Sequence, residues 1–283
     1  MSGATVLLVL FAALLHASWN ALVKAGPDKL LSTVLVASGA GLLAALALPF
    51  LALPATASWP WLAGSACCHL AYYRLLAAAY AHGDMSHAYP LMRGSAPLLV
   101  ALGSAVLVGE TLSARQYGAI ALICAGVLAM SLWRGAGAVP PARRATLFAL
   151  LNAAVIACYT LIDGIGVRRS GAPLAYTLWL FALSALSALV LLVAVMGRRQ
   201  ALREYGRQYW KTGMLGGAVS MASYGLALWA MTAAPVAVVA ALRETSILFA
   251  ALIARVFLRE RLGVRRLCAV GLIAGGAVAM RFA

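Results

Sequence analysis

The chain has 283 residues, 64% of them hydrophobic and 10% charged, with a mean hydropathy of +0.95. That balance excludes an ordinary soluble domain, in which about a quarter of residues are charged. A net charge of +15 and a pI near 10.3 would suggest nucleic acid in a soluble protein. Here the basic residues sit mostly in short segments between apolar runs, where membrane topology explains them better.

A helix needs about 20 apolar residues to cross a hydrocarbon layer of about 30 Å. Ten such stretches follow one another: 3–23, 31–53, 60–81, 86–108, 114–133, 145–167, 174–196, 212–233, 236–258 and 264–281. The first follows Met1-Ser2 with no basic leader and no cleavage site, so it reads as a membrane helix rather than a signal peptide. It places His16, Trp19 and Asn20 on one face, at i, i+3 and i+4. Span 3 carries His69 and Tyr73 on one stripe, with Arg74 adjacent. In span 4, Tyr89 and Arg93 accompany Pro90 and Pro97. Each proline lacks an N–H, which frees the carbonyls of Ser86 and Arg93, and freed carbonyls in a membrane line polar cavities or meet another helix. Span 6 presents Asn152, Tyr159 and Asp163 on one face, span 8 carries Tyr224 and Trp229, and span 9 has Arg243 and Glu244 behind a single Pro235 at its start.

The second part of the chain repeats the first. Residues 84–130 and 234–280 align without a gap at a spacing of 150, and fourteen of the 47 positions are identical. Arg93/Arg243, Glu110/Glu260, Leu112/Leu262, Arg115/Arg265, Gly126/Gly276 and Met130/Met280 are among them. A shared helical composition would not align an Arg and a Glu inside apolar text, so the chain is read as an internal duplication. Ala17-Ser18-Trp19-Asn20 is echoed more weakly by Ala157-Cys158-Tyr159-Thr160 at a spacing of 140. Five spans per copy is an odd number, so the second copy must enter the bilayer from the opposite side. The predicted fold is an all-α membrane protein of ten transmembrane helices in two inverted five-helix repeats, 1–134 and 145–283. The Gly- and Pro-containing loop Arg134–Arg144 joins them.

Gly109-Glu110-Thr111-Leu112 with Gly126-Val127 downstream, Arg259-Glu260-Arg261-Leu262 with Gly275-Gly276, and the aromatic-Asn/Thr pairs of spans 1 and 6 resemble the drug/metabolite transporter superfamily. The similarity is to its ten-helix members built from two EamA-type domains, and it covers essentially the whole chain. It implies an alternating-access carrier with a central cavity lined by spans 1, 3, 4, 6, 8 and 9, with spans 5 and 10 as scaffold. It is nearly silent on substrate.

Polar groups inside the spans carry the functional information. A central Arg costs about 2.5–3.5 kcal/mol on insertion scales, so Arg74, Arg93 and Arg243 together cost roughly 8–10 kcal/mol. Only Glu244 lies at comparable depth, with Asp163 nearer a membrane face. If Glu244 neutralises one Arg, at least one positive charge remains for a substrate anion. The expected binding set is Arg93, Arg243, Arg74, His16, Trp19, Asn20, Tyr73, Tyr89, Tyr159 and Tyr224, with Glu244 and Asp163 as candidates for coupling to protons. The Glu110 and Glu260 turns read as structural, because Ser113-Ala114-Arg115-Gln116 is a capping-box pattern opening span 5 and an acid suits a helix N-terminus. The five cysteines show no metal-like spacing and read as small apolar fillers.

No metal cluster, phosphate-binding glycine loop or nucleophile elbow appears, so neither an enzyme nor a cofactor is expected. An intramembrane aspartyl protease needs two facing Asp residues, and Asp163 has only the loop-proximal Asp84. A channel would show a wide polar stripe on several helices. The reading is a secondary transporter of a small anionic or zwitterionic metabolite: an amino acid, a carboxylate, or an organophosphonate or phosphate. A membrane-embedded enzyme or a channel acting on a small anion or lipid is the alternative. The partners expected are that small molecule and the lipid bilayer, not nucleic acid. Ala/Leu/Arg-rich text suggests a bacterial inner membrane. Fourteen basic residues lie on the side of loops 1–2, 3–4, 5–6, 7–8 and 9–10, against four on the side of the termini, so both termini are expected outside the cytoplasm. Many members of the resembled family have their basic loops the other way round.

Overall fold

The computed structural model describes residues 1–83, 85–132, 142–257 and 263–283. The linker between the halves, Asp84 and the Glu260 turn lie outside the described residues. The described chain is helical: α1 (Gly3–Ala25), α2 (Lys29–Ala47), α3 (Trp59–His82), α4 (Met85–Gly103), α5 (Ala114–Leu132), α6 (Arg143–Arg169), α7 (Pro173–Val190), α8 (Arg199–Met231), α9 (Val236–Arg243), α10 (Ser246–Phe257) and α11 (Val264–Arg281). Wider π-type turns at Ser104–Val108 and Leu191–Val195 prolong α4 and α7.

Each of the ten apolar stretches becomes a helix, with two differences. The ninth is divided into α9 and α10. The eighth starts at Arg199 rather than near 212, giving a 33-residue helix kinked at Tyr209 (φ −114°, ψ 16°). At about 1.5 Å per residue it is longer than a hydrocarbon layer is thick, so its Arg-rich first turns extend beyond the apolar zone. Composition hid this extension because Arg199, Arg203 and Arg207 face outward while Leu202 and Tyr205 pack back onto the bundle near Leu31. Seven segments among the described residues are long and apolar enough to cross a membrane, and α9 and α10 count together as one of them. Leu7, Phe11, Leu102, Val106, Leu215 and Leu252 point outward, whereas His16, Arg93, Asp163, Arg243 and Glu244 are buried. An apolar exterior around a polar interior is what a lipid-solvated bundle requires.

Small residues bring the helices together. A methyl group at Gly39 in α2 would lie 2.4 Å from the Gly213 carbonyl oxygen of α8, and one at Gly217 would lie 2.4 Å from the Ala40 nitrogen. Close backbone contact of this kind is how helices associate where no hydrophobic force separates them from lipid. The contact of α5 with α11 is reciprocal. Gly126 abuts Ile273 and Ala269, and Gly276 abuts Ile123 and Ala119. These are pairs at the 150-residue spacing, so each side of the contact mirrors the other, as a two-fold relation demands.

The helix ends sort into two faces. Gly3 lies beside Arg281, and the Ala55 N–H bonds the Ser170 carbonyl, so both termini share a face with the α2–α3 and α6–α7 turns. At the other face Asp28 caps α2 through the Leu31 N–H (2.9 Å) and meets Arg198 (2.9 Å) from the start of α8. Burial alone would push the Asp28 carboxyl up. The Leu31 N–H and the Arg198 guanidinium outweigh it and hold the group below the ordinary carboxylate range.

Leu at Gly126 or at Gly276 meets backbone as well as side chain, so each substitution is expected to destabilise by about 1–3 kcal/mol or more. Thermal unfolding in detergent should show similar losses for the two, because their surroundings are mirror images. Gly118→Leu and Gly271→Leu, where no atom lies within 4 Å, should leave Tm unchanged.

Candidate functional site

A proline-bearing helix and a broken one deliver the cationic groups. In α4, Pro90 and Pro97 bracket Arg93. The ninth span, expected to lack an equivalent because only Pro235 precedes it, is interrupted at the same position without a proline. Glu244 N bonds Ala241 O (3.0 Å), Thr245 N bonds Leu242 O (3.1 Å) and Ile247 N bonds Glu244 O (3.0 Å). These are i→i−3 bonds, a tight turn that separates α9 from α10 beside Arg243.

Arg93 and Arg243 both line an open cavity of about 730 Å³, a volume that includes the solvent space at its mouth. His16, Trp19 and Asn20 come from α1, Tyr73 from α3, Tyr89 from α4, Tyr159 from α6 and Tyr224 from α8. Nine of the ten expected binding residues therefore meet in one space. The exception is Arg74, which is exposed and does not line the cavity. In sequence it is as deep as its neighbour Tyr73, but consecutive helical positions point about 100° apart, and Arg74 falls on the outward side.

The buried charges fall into two sets. Arg93 and Glu244 form an ion pair, with Nη2 2.7 Å from Oε1 and Nε donating to Oε2 at 3.1 Å. Arg243 has no such carboxylate; its guanidinium lies 4.6 Å from the centre of the Tyr224 ring. Asp163 lies behind the cavity wall, fully buried, accepting from the Tyr176 hydroxyl (3.2 Å) and the Tyr224 hydroxyl (2.8 Å). Glu244 and Asp163 thus back the cavity rather than line it.

The face that holds the termini is bridged. Arg168 at the end of α6 donates to Glu110 (2.7 Å), to Met231 O (2.7 Å) and to Ala234 O (2.9 Å). Glu110 in turn accepts the Val236 N–H at 2.9 and 3.0 Å. The capping box of α5 is present, with Ser113 N bonding Gln116 Oε1 and Gln116 N bonding Ser113 Oγ. Glu110, however, serves the N-terminus of α9 in the other half rather than that of α5. The physical reason for an acid there holds, but the helix that benefits is not the adjacent one.

The sequence profile of the EamA-like transporter family matches residues 143–282. Over those residues the chain belongs to the EamA-like transporter family. That family consists of membrane transporters rather than enzymes, and this is a multi-pass membrane protein of that type. No curated protein sequence matches the chain. A solved structure, titled only as the crystal structure of a protein, superposes with a TM-score of 0.73 at 22% identity, covering 100% of this chain and 98% of that one. At that identity it speaks for the fold alone. The EamA-matched half supplies Tyr159, Tyr224 and Arg243, while the preceding half supplies His16, Trp19, Asn20, Tyr73, Tyr89 and Arg93.

The cavity also takes in His69, Tyr72, Ile156, Phe181, Ser184 and Ser220. His69 shares its stripe with Tyr73, stacks on Tyr159 at 4.7 Å and was recognisable by spacing. Phe181 and Ser184 belong to α7, which the resemblance does not place at the cavity. Their i, i+3 spacing was a usable signal, since Ser184 also meets the Tyr73 hydroxyl at 3.2 Å. Of the cysteines only Cys124 is a buried filler. Cys67, Cys158 and Cys268 are exposed, and the Cys68 and Cys158 sulfurs lie 3.8 Å apart.

Removing one partner of a buried ion pair strands the other charge, at a cost of about 3–5 kcal/mol. Glu244→Gln should therefore lower Tm strongly in detergent. The double variant Arg93→Leu/Glu244→Leu should recover most of the loss, because it strands no charge; unfolding of both variants by heat, followed by circular dichroism, checks the pair.

Proposed function

We propose that the protein is a secondary active transporter that moves a small anionic or zwitterionic metabolite by alternating access, through two inverted units of residues 1–134 and 145–283. The observation that carries this reading is Arg243: a buried cation on the cavity wall, stacked on Tyr224 and without a carboxylate, while Glu244 occupies Arg93. A guanidinium offers paired donors that suit a carboxylate, phosphonate or phosphate group. The aromatic walls suit an apolar body, and Asn20, Ser184 and Ser220 can meet an amino or hydroxyl group. Contacts across the termini face through Glu110, Arg168 and Val236 fit a carrier closed at one end. Amino acids, carboxylates and organophosphonates or phosphates all satisfy this chemistry.

Purified protein should be stabilised thermally by one or more of glycine, lactate and methylphosphonate. Arg243→Gln should abolish that stabilisation while remaining folded and monodisperse, and Arg243→Lys should restore it only in part. An unchanged ligand response in Arg243→Gln would defeat the reading.

The orientation follows from charge. Lys24, Lys29, Arg198, Arg199, Arg203, Arg207 and Lys211 gather at the face opposite the termini, which we assign to the cytoplasm of a bacterial inner membrane. A C-terminal alkaline phosphatase fusion should then be active and a C-terminal fluorescent-protein fusion dark; the reverse pattern would place the termini inside.

A further inference from the structure

Resting on the reading of Arg243 as the anion site, we propose that Asp163 is where a proton binds when the cavity takes up its anion, so that one proton accompanies each singly charged substrate. Arg93 and Arg243 are the buried cations around the cavity, and Glu244 and Asp163 are the buried anions. With the cavity empty the four sum to zero. An anion docked on Arg243 leaves one negative charge in excess where the surroundings are apolar, and such a charge is expensive there. A proton on one of the two carboxyl groups restores neutrality.

Geometry selects Asp163. Both oxygens of Glu244 are engaged by Arg93, at 2.7 and 3.1 Å, so a proton there would strand a buried guanidinium. Among the described residues no cation forms an ion pair with Asp163. It is held by the hydroxyl groups of Tyr176 from α7 at 3.2 Å and Tyr224 from α8 at 2.8 Å, and the Ser65 side chain of α3 faces it. Hydroxyls can donate to a carboxylate or accept from a carboxylic acid by rotating, so either state is satisfied without moving a helix. The other titratable or charged groups facing it are Cys68 of α3, Tyr159 of its own helix and Arg243 of α9. A proton on His16 would instead add a third cation beside Arg93 and Arg243.

Tyr224 connects the two events. Its ring supports the Arg243 guanidinium at 4.6 Å and its hydroxyl donates to Asp163. A route for the proton is present as well. His69 lines the cavity, and its Nδ1 lies 2.8 Å from Ser65 O and 3.3 Å from Ser65 Oγ. A proton from the bulk solution adds to His69 Nε2 as the Nδ1 proton passes to the Ser65 hydroxyl, which hands its own proton to Asp163; the His69 ring stays neutral with its tautomer reversed. Asp163 gains the one proton taken from solution, and rotation of the two groups' hydrogens resets the relay.

The test is the pH dependence of binding for lactate or methylphosphonate, whichever stabilises the wild-type protein, with glycine, a net-neutral zwitterion, as the control that should not draw this proton. Affinity of the wild type should fall by up to about tenfold per pH unit on the alkaline side, as linkage to one proton requires. Asp163→Asn should bind at alkaline pH as tightly as the wild type does at acid pH. The ligand's own titration is common to both proteins and cancels in the ratio. Tyr176→Phe removes a donor from Asp163 without touching the cavity, so it should shift the pH at which affinity begins to fall, and it serves if Asp163→Asn does not fold. The proposal is overturned if Asp163→Asn keeps the wild-type slope, or if only Glu244→Gln or His16→Asn removes it. If Arg243→Gln binds the same compound normally while Asp163→Asn alone flattens the profile, the anion-site reading falls and the proton site stands.

Discussion

Ionised groups inside an apolar bundle constrain everything else in this protein. An unpaired charge in a membrane interior is so costly that it persists only where a partner, a hydrogen-bond network or a ligand compensates it. Arg93 is compensated by Glu244 and Asp163 by the Tyr176 and Tyr224 hydroxyls, whereas Arg243, among the described residues, meets the face of the Tyr224 ring and forms no ion pair. Arg243 is thus the least satisfied of the four, and it lines the cavity. The uneven distribution of compensation, rather than the number of charges, points to where a ligand belongs.

Holding these groups in place depends on helices that are irregular where they meet the cavity. Two prolines loosen α4 around Arg93, and i→i−3 bonding breaks the ninth span beside Arg243. The helices pack through glycine and alanine, as in the mirrored contact of Gly126 with Ile273 and of Gly276 with Ile123. Where the ninth span breaks in the polar interior, its N–H groups are satisfied by i→i−3 bonds. The polar bridges that cross the bundle act at different depths. Arg93–Glu244 and Asp163–Tyr224 are buried, while Glu110–Arg168 ties α6 to the ends of α8 and α9 at the termini face.

Much of the cavity was legible because helical spacing is faithful inside a membrane helix. His16, Trp19 and Asn20 recur at i, i+3 and i+4 and arrive together, and Trp19 and Tyr159, related by the weak echo between spans 1 and 6, both face the same space. Arg74 was misplaced because depth along a helix says nothing about direction around it. Phe181 and Ser184 were missed because the resemblance sets α7 apart from the cavity, although their i, i+3 spacing puts them on one helix face.

The sequence by itself determined the number of apolar spans, their near-correct limits, the duplication and the presence of more buried cations than a scaffold needs. These follow from local properties: the length of an apolar run, the identity of residues at a fixed spacing, and the cost of an Arg in lipid. Only the tertiary structure decided which carboxylate pairs with which Arg, that Glu110 caps a helix in the opposite half, and that Asp163 reaches Arg243 through Tyr224. Each of those is a choice among partners distant along the chain. It depends on helix rotation and crossing, which close packing of small residues sets across the whole bundle at once.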